Sequence, residues 1–215
     1  MKKILIAVVF SLFLSSNAFA LNEYTEKDIK DCGELKCDLD GNPITGKETF
    51  YYANGNLQVE IPYKNGKEEG ISKVYYENGN LKSEIPFKNG KQEGLGKAYY
   101  ANGNLHSEIP HKNGKKEGLG KVYRENGNLQ AEMPYKNGKE EGLGKAYYEN
   151  GNLQVETPYK NGKKEGLKKV YYANGNLQAE IPYKNGKAVS GYLYDAFGNK
   201  TKMTNAHLHN FNKKF

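Results

Sequence analysis

Cys32 and Cys37 are the only thiols in the 215-residue chain, and they stand five positions apart in Asp31-Cys32-Gly33-Glu34-Leu35-Lys36-Cys37-Asp38. That spacing is not the C-x-x-C of thiol oxidoreductases. A metal site needs further ligands, and His106, His111, His207 and His209 are distant in sequence. In an oxidising compartment two such neighbours pair. The spacing predicts a Cys32–Cys37 disulfide that closes a short loop, contributes on the order of 2 kcal/mol by chain entropy and orders the N-terminal segment.

The other residues with chemical potential recur too regularly to form one centre. Glu60, Glu84, Glu108, Glu132, Glu156 and Glu180 could act as acids or bases, but Lys73, Lys97, Lys121, Lys145 and Lys169 recur with them at the same interval. Two such series predict cross-strand ion pairs of ~0.2–1 kcal/mol each. No Ser is set with His and Asp, and no glycine-rich loop opens a helix to cradle phosphate. The expectation is a non-enzymatic protein without catalytic, metal or cofactor sites. His207-Leu208-His209 in a strand would point two imidazoles to one face, but a third ligand is missing from the motif. It reads as a solvated tail.

Charge narrows the partners. Lys+Arg 32 against Asp+Glu 25 gives a formal +7, yet cations and acids are interleaved in every unit and Arg124 is the sole arginine. Phosphate recognition favours arginine forks on a one-sign face, so nucleic acid is excluded as a partner. Excess lysine keeps an anionic membrane surface open.

The first twenty residues read as a secretory signal: Lys2-Lys3, an apolar run from Ile4 to Leu14, then Ala18-Phe19-Ala20 as a small-x-small cleavage site. The apolar run is too short to span a bilayer, and no Cys follows the site to accept lipid. Cleavage after Ala20 and export to the periplasm, cell surface or medium are expected.

Stepping along the rest of the chain, Asn-Gly-Asn recurs from 54–56 to 174–176 and Lys-Asn-Gly-Lys from 64–67 to 184–187, six times each with a period of 24. Asn-Gly between alternating apolar residues is a strong hairpin signal, because both residues tolerate positive φ. Two turns per unit give two strands per unit. Folding about Asn78-Gly79 sets Lys73 against Glu84, Val74 against Ser83, Tyr75 against Lys82 and Tyr76 against Leu81. Val74, Tyr76, Leu81, Ile85 and Phe87 then share an apolar face, opposite Lys73, Tyr75, Lys82 and Glu84. Two-residue loops at both turns conflict with strand hydrogen bonding, so one turn is wider or bulged. Pro86 points to Lys88-Asn89-Gly90-Lys91 as the four-residue loop, and Gly94/Gly96 offers a second bulge.

No stretch beyond the signal shows helical periodicity. The predicted fold is all-β: a single-layer antiparallel meander of β-hairpins with about thirteen strands at ~4.8 Å spacing. The organisation reads as signal 1–20, an N-terminal cap 21–40 carrying the disulfide, hairpin repeats 41–187, and a capping repeat with tail 188–215. A terminal Phe215 also fits an outer-membrane barrel, but short turns at both strand ends and a glycine-rich face argue against one.

The run Tyr-x-Asn-Gly-x-Leu-x-x-Glu-x-x-Tyr-Lys-Asn-Gly-Lys-x-x-Gly, as at Tyr76 to Gly94, resembles the variant MORN repeat of bacterial proteins, a family often labelled YwqK-like antitoxin. The resemblance covers roughly residues 40–200 and recurs six times. It implies β-hairpin arrays used for protein or membrane-surface contact, and no catalytic residues. The antitoxin label implies a toxin partner.

The function expected is therefore an exported repeat protein that offers an elongated surface to a protein or cell-envelope component. Apolar residues Tyr76, Tyr100, Leu105, Ile109, Tyr148 and Leu153 are the candidate contacts, falling on one face without a covering layer. Curling of the ribbon and the end caps could bury part of that face. The alternative is an immunity-like inhibitor of a single toxin, kept open by the outliers His106, His111 and Arg124 in two neighbouring units.

Overall fold

The computed structural model describes residues 22–213. The expected signal segment and Phe215 lie outside them. Each repeat contains a six-residue strand beginning with Gly and an eight-residue strand beginning with Leu, for example Gly70–Tyr75 and Leu81–Lys88. Lys73 pairs with Glu84 and Val74 with Ser83, as folding about the Asn-Gly-Asn turn predicts. The next strand, Gly94–Tyr99, returns along Leu81–Lys88 with Lys97 against Glu84. The same connection repeats through Leu177–Lys184, so every strand lies beside its neighbours in sequence. The result is the expected all-β meander. One edge adds a parallel pairing that the hairpin pattern does not contain, Asn22–Tyr24 along Gly46–Tyr51.

The two turns exchange the widths expected of them. At Lys88-Asn89-Gly90-Lys91, Lys88 pairs directly with Lys91, while Asn89 (φ 50°) and Gly90 (φ 75°) are both left-handed. This is a tight two-residue loop of the primed type. The Asn-Gly-Asn turn is the wider one. The Tyr76 carbonyl accepts from Gly79 N–H at 2.9 Å, and Tyr76 N–H donates to the Asn80 carbonyl at 2.8 Å. Asn78 Oδ1 accepts from Asn80 N–H at 3.0 Å, so this Asn works through its side chain and only the glycine has positive φ. Tyr75 consequently stands against Leu81, and Lys82 is the extra residue of a bulge. Pro86 marks a break after the tight turn. Glu93 N–H donates to the Pro86 carbonyl at 2.9 Å, and Gly94 at φ 116° makes the bulge that the Gly94/Gly96 pair suggests.

The two faces differ in how they are covered. On one, Ile109, Met133 and Thr157 oppose Gly96, Gly120 and Gly144. A Cβ on Gly120 would lie 3.1 Å from the Tyr135 ring, and one on Gly144 would lie 2.8 Å from Met133 Cε. A small residue suits most of this row, as Ser72 opposite Ile85 also shows, and the aromatic row of the repeats lies over it. The sheet thus covers part of its own apolar face, the curling alternative in another form.

Both ends are capped. The hairpin of Ile29–Cys32 and Leu35–Asp38 carries the Cys32–Cys37 disulfide, as the spacing predicts, and buries Cys37 beside the first repeat. Lys36 N–H donates to the Gly66 carbonyl, and Gly66 N–H to the Ile44 carbonyl, at 2.9 and 2.8 Å. At the other end Ala179, Ile181, Tyr183, Ala188 and Met203 form a buried cluster, with Leu208 packed on it. Leu208 belongs to a helix, Asn205–Lys213, where no helix is expected. Thr204 Oγ1 accepts from His207 N–H at 3.4 Å in its first turn. His207 and His209, two helical positions apart, are separated by roughly 200° about the axis and do not share a face as they would in a strand.

Candidate interaction surface

Opposite the glycine face, residues two apart and residues paired across strands define one continuous surface. Its first row alternates Leu or Ile with Pro: Ile71 with Pro86, Leu95 with Pro110, Leu119 with Pro134, Leu143 with Pro158 and Leu167 with Pro182. Ile71 and these leucines are 41–47% exposed. Proline is tolerated because its missing donor falls at the bulge, where its carbonyl still accepts from the next strand. The row therefore follows from backbone needs on one strand and leaves a branched apolar residue facing it on the other.

The second row alternates charge. Glu60, Lys73, Glu84, Lys97, Glu108, Lys121, Glu132, Lys145, Glu156, Lys169 and Glu180 follow one another across adjacent strands. Lys97 Nζ lies 3.8 Å from Glu84 Oε1 and pairs in register with Glu108 on its other side. Tyrosines complete the row: Tyr99, Tyr123, Tyr147 and Tyr171 donate their hydroxyls to Glu84, Glu108, Glu132 and Glu156 at 2.8–3.1 Å. Burial, with a carboxylate beside each hydroxyl, pushes Tyr99 and Tyr147 up to about 12. All four glutamates are bonded by tyrosine, and Glu84 also by Lys97, while the other lysines stand beside them in register.

Along the Asn-Gly-Asn edge, Tyr76, Tyr100 and Tyr148 are half-buried and donate to the carbonyls of Tyr99, Tyr123 and Tyr171 in the following repeat at 2.7–2.8 Å. Leu105 and Leu153 pair with Tyr99 and Tyr147, while Ile109 pairs with Gly96 on the other face. The six expected contacts are therefore divided: Tyr76, Tyr100, Tyr148, Leu105 and Leu153 lie at the Asn-Gly-Asn hairpin ends, and Ile109 lies on the glycine face. The outliers occupy the repeat's own slots. His106 meets the Tyr100 ring edge-on at 4.8 Å, and Arg124 takes a tyrosine position and makes the same bond, to the Tyr147 carbonyl at 2.8 Å. His111 stands in the aromatic row, where burial lowers its pKa.

The exposed row was present in the sequence as a single apolar residue after each repeat's glycine at positions 70, 94, 118, 142 and 166, on the charged face. Only the register shows that successive ones align. Among the described residues no group of three or more His, Cys, Asp and Glu could hold a metal ion. The opposite edge carries the tight turns, and each places two lysines directly across from one another, from Lys64 and Lys67 to Lys184 and Lys187.

An open sheet that displays the same side chains every second strand defines a β-repeat protein. Six stretches, 44–65, 68–89, 92–113, 116–137, 140–161 and 164–185, match the MORN repeat variant. They span more than half of the chain, which belongs to this family. No curated protein matches the sequence.

Proposed function

We propose that the chain is an exported, non-enzymatic repeat protein whose leucine–proline row binds an elongated protein or cell-envelope partner. The observation that carries this reading is the alignment of Ile71, Leu95, Leu119, Leu143 and Leu167, each half-exposed, along the full repeat array. Apolar residues gathered in one exposed row mark interaction surfaces. Export is supported by the tripartite segment 1–20 and by the Cys32–Cys37 disulfide. The lysine-tipped edge suits an anionic partner or surface, since like charges placed opposite one another are unfavourable without a counter-charge. An antitoxin-like inhibitor of one toxin is the second reading, resting on His106, His111 and Arg124 in adjacent repeats. Cell fractionation with intact mass tests the address: a product beginning at Leu21 outside the cytoplasm is expected, and a cytoplasmic product retaining Lys2 contradicts it.

A further inference from the structure

Two departures from the repeat meet at one place on the glycine face. The row Gly96, Gly120, Gly144 continues as Lys168, and the row Ile61, Ile85, Ile109, Met133 continues as Thr157 before returning to Ile181. Gly144 pairs with Thr157 and Lys168 with Ile181, on consecutive strands of the sheet. Both residues line a hollow of about 410 Å³, within the size range of small-ligand sites. Small side chains, Ala131 and Ala146, share its lining with Met133 and Tyr159, and Lys164 joins Lys168 there.

The lining is mostly apolar, and Lys164 and Lys168 stand in it together with Glu132 and Lys145 of the charge ladder. Burial lowers the pKa of both lysines, and the charge of Lys164 lowers that of Lys168 further. Lys164 Nζ lies 5.4 Å from the centre of the Tyr183 ring, whose buried hydroxyl has no partner among the described residues. Two lysines lining one hollow suit an anionic group, and the apolar side chains beside them suit a hydrocarbon body.

We propose that this hollow binds a small amphiphile with an anionic head, its apolar body on Ala131, Ala146 and Met133 and its carboxylate or phosphate between Lys164 and Lys168. The site is independent of the leucine row, which is on the other face. Titration calorimetry of the full chain with decanoate, decyl phosphate and decanol, each below its micelle concentration, tests it. One-to-one binding of an anionic probe is expected, at least tenfold tighter than decanol, and the tighter of the two anions identifies the head group. Lys168→Gly installs the residue that the same row holds at Gly96, Gly120 and Gly144, so the fold accepts it. Lys164→Gln installs the residue of the Gln92 position. Each variant, with an unchanged circular dichroism spectrum, should weaken the anion at least tenfold. Equal affinity in Lys168→Gly and the parent, decanol binding as tightly as the anions, or no saturable binding of either anion by millimolar concentration would overturn the proposal.

Discussion

At the scale of single residues, tyrosine does two hydrogen-bonding jobs besides its place in the aromatic row. One set spans to the carbonyl of the next repeat, and the other donates to the glutamates of the charge ladder. Tyr100→Phe removes a half-buried donor and should cost about 1 kcal/mol in urea unfolding, whereas Arg124→Tyr restores the commoner residue at a position already bonded and should change stability by less than about 0.5 kcal/mol. A residue of another kind is Glu48, 4% exposed and bonded to the Tyr63 hydroxyl at 3.1 Å. Burial raises its pKa, so the folded state holds a proton more readily than the unfolded chain. Its contribution to stability is full below the ordinary Glu range and is lost as pH rises through the raised value. Glu68, raised by burial beside Glu48, acts with the same sign. Exchange protection of the Gly66 amide should therefore fall as pH rises above the ordinary Glu range, after correction for intrinsic rates, and less steeply in Glu48→Gln. Protection that rises with pH would contradict this.

At the scale of elements, the repeat and the Lys73–Glu84 register were legible because two turns of 24-residue period constrain one set of alternating residues. The turn widths were not, because Asn-Gly states only that positive φ is tolerated. Whether Asn takes it, as Asn89 does, or caps with its side chain, as Asn78 does, depends on the bulge beside Pro86 that absorbs the mismatch. The helix at Asn205–Lys213 was hidden for a related reason: nine residues with Leu208 as the described anchor carry little periodicity, and the buried cluster at the last repeat supplies the contact that makes it form. The register also shows that Lys97 has two acidic neighbours. Lys97→Glu would put three carboxylates in adjacent strands and should cost up to ~1 kcal/mol, modest because the pair is partly solvated. Adding Glu108→Lys should recover much of that loss. Additive losses in this double-mutant cycle would show the ladder to be energetically inert.

At the scale of the whole molecule, the array is one sheet whose repeats touch only their neighbours, closed by a disulfide-bearing hairpin at one end and a helix at the other. Stability in such arrays is a sum of local terms, so it does not require an exposed apolar row. That separation permits a direct test. Leu95→Ser, Leu119→Ser and Leu143→Ser together remove the centre of the row, at ~0.5 kcal/mol or less for each partly exposed site. The full chain and this triple variant would be immobilised and compared for capture from an envelope fraction, with melting followed in parallel. Retained melting with at least tenfold weaker capture of the partner is the predicted result; capture at the parental level by a folded triple variant would contradict the leucine–proline row as the interaction surface.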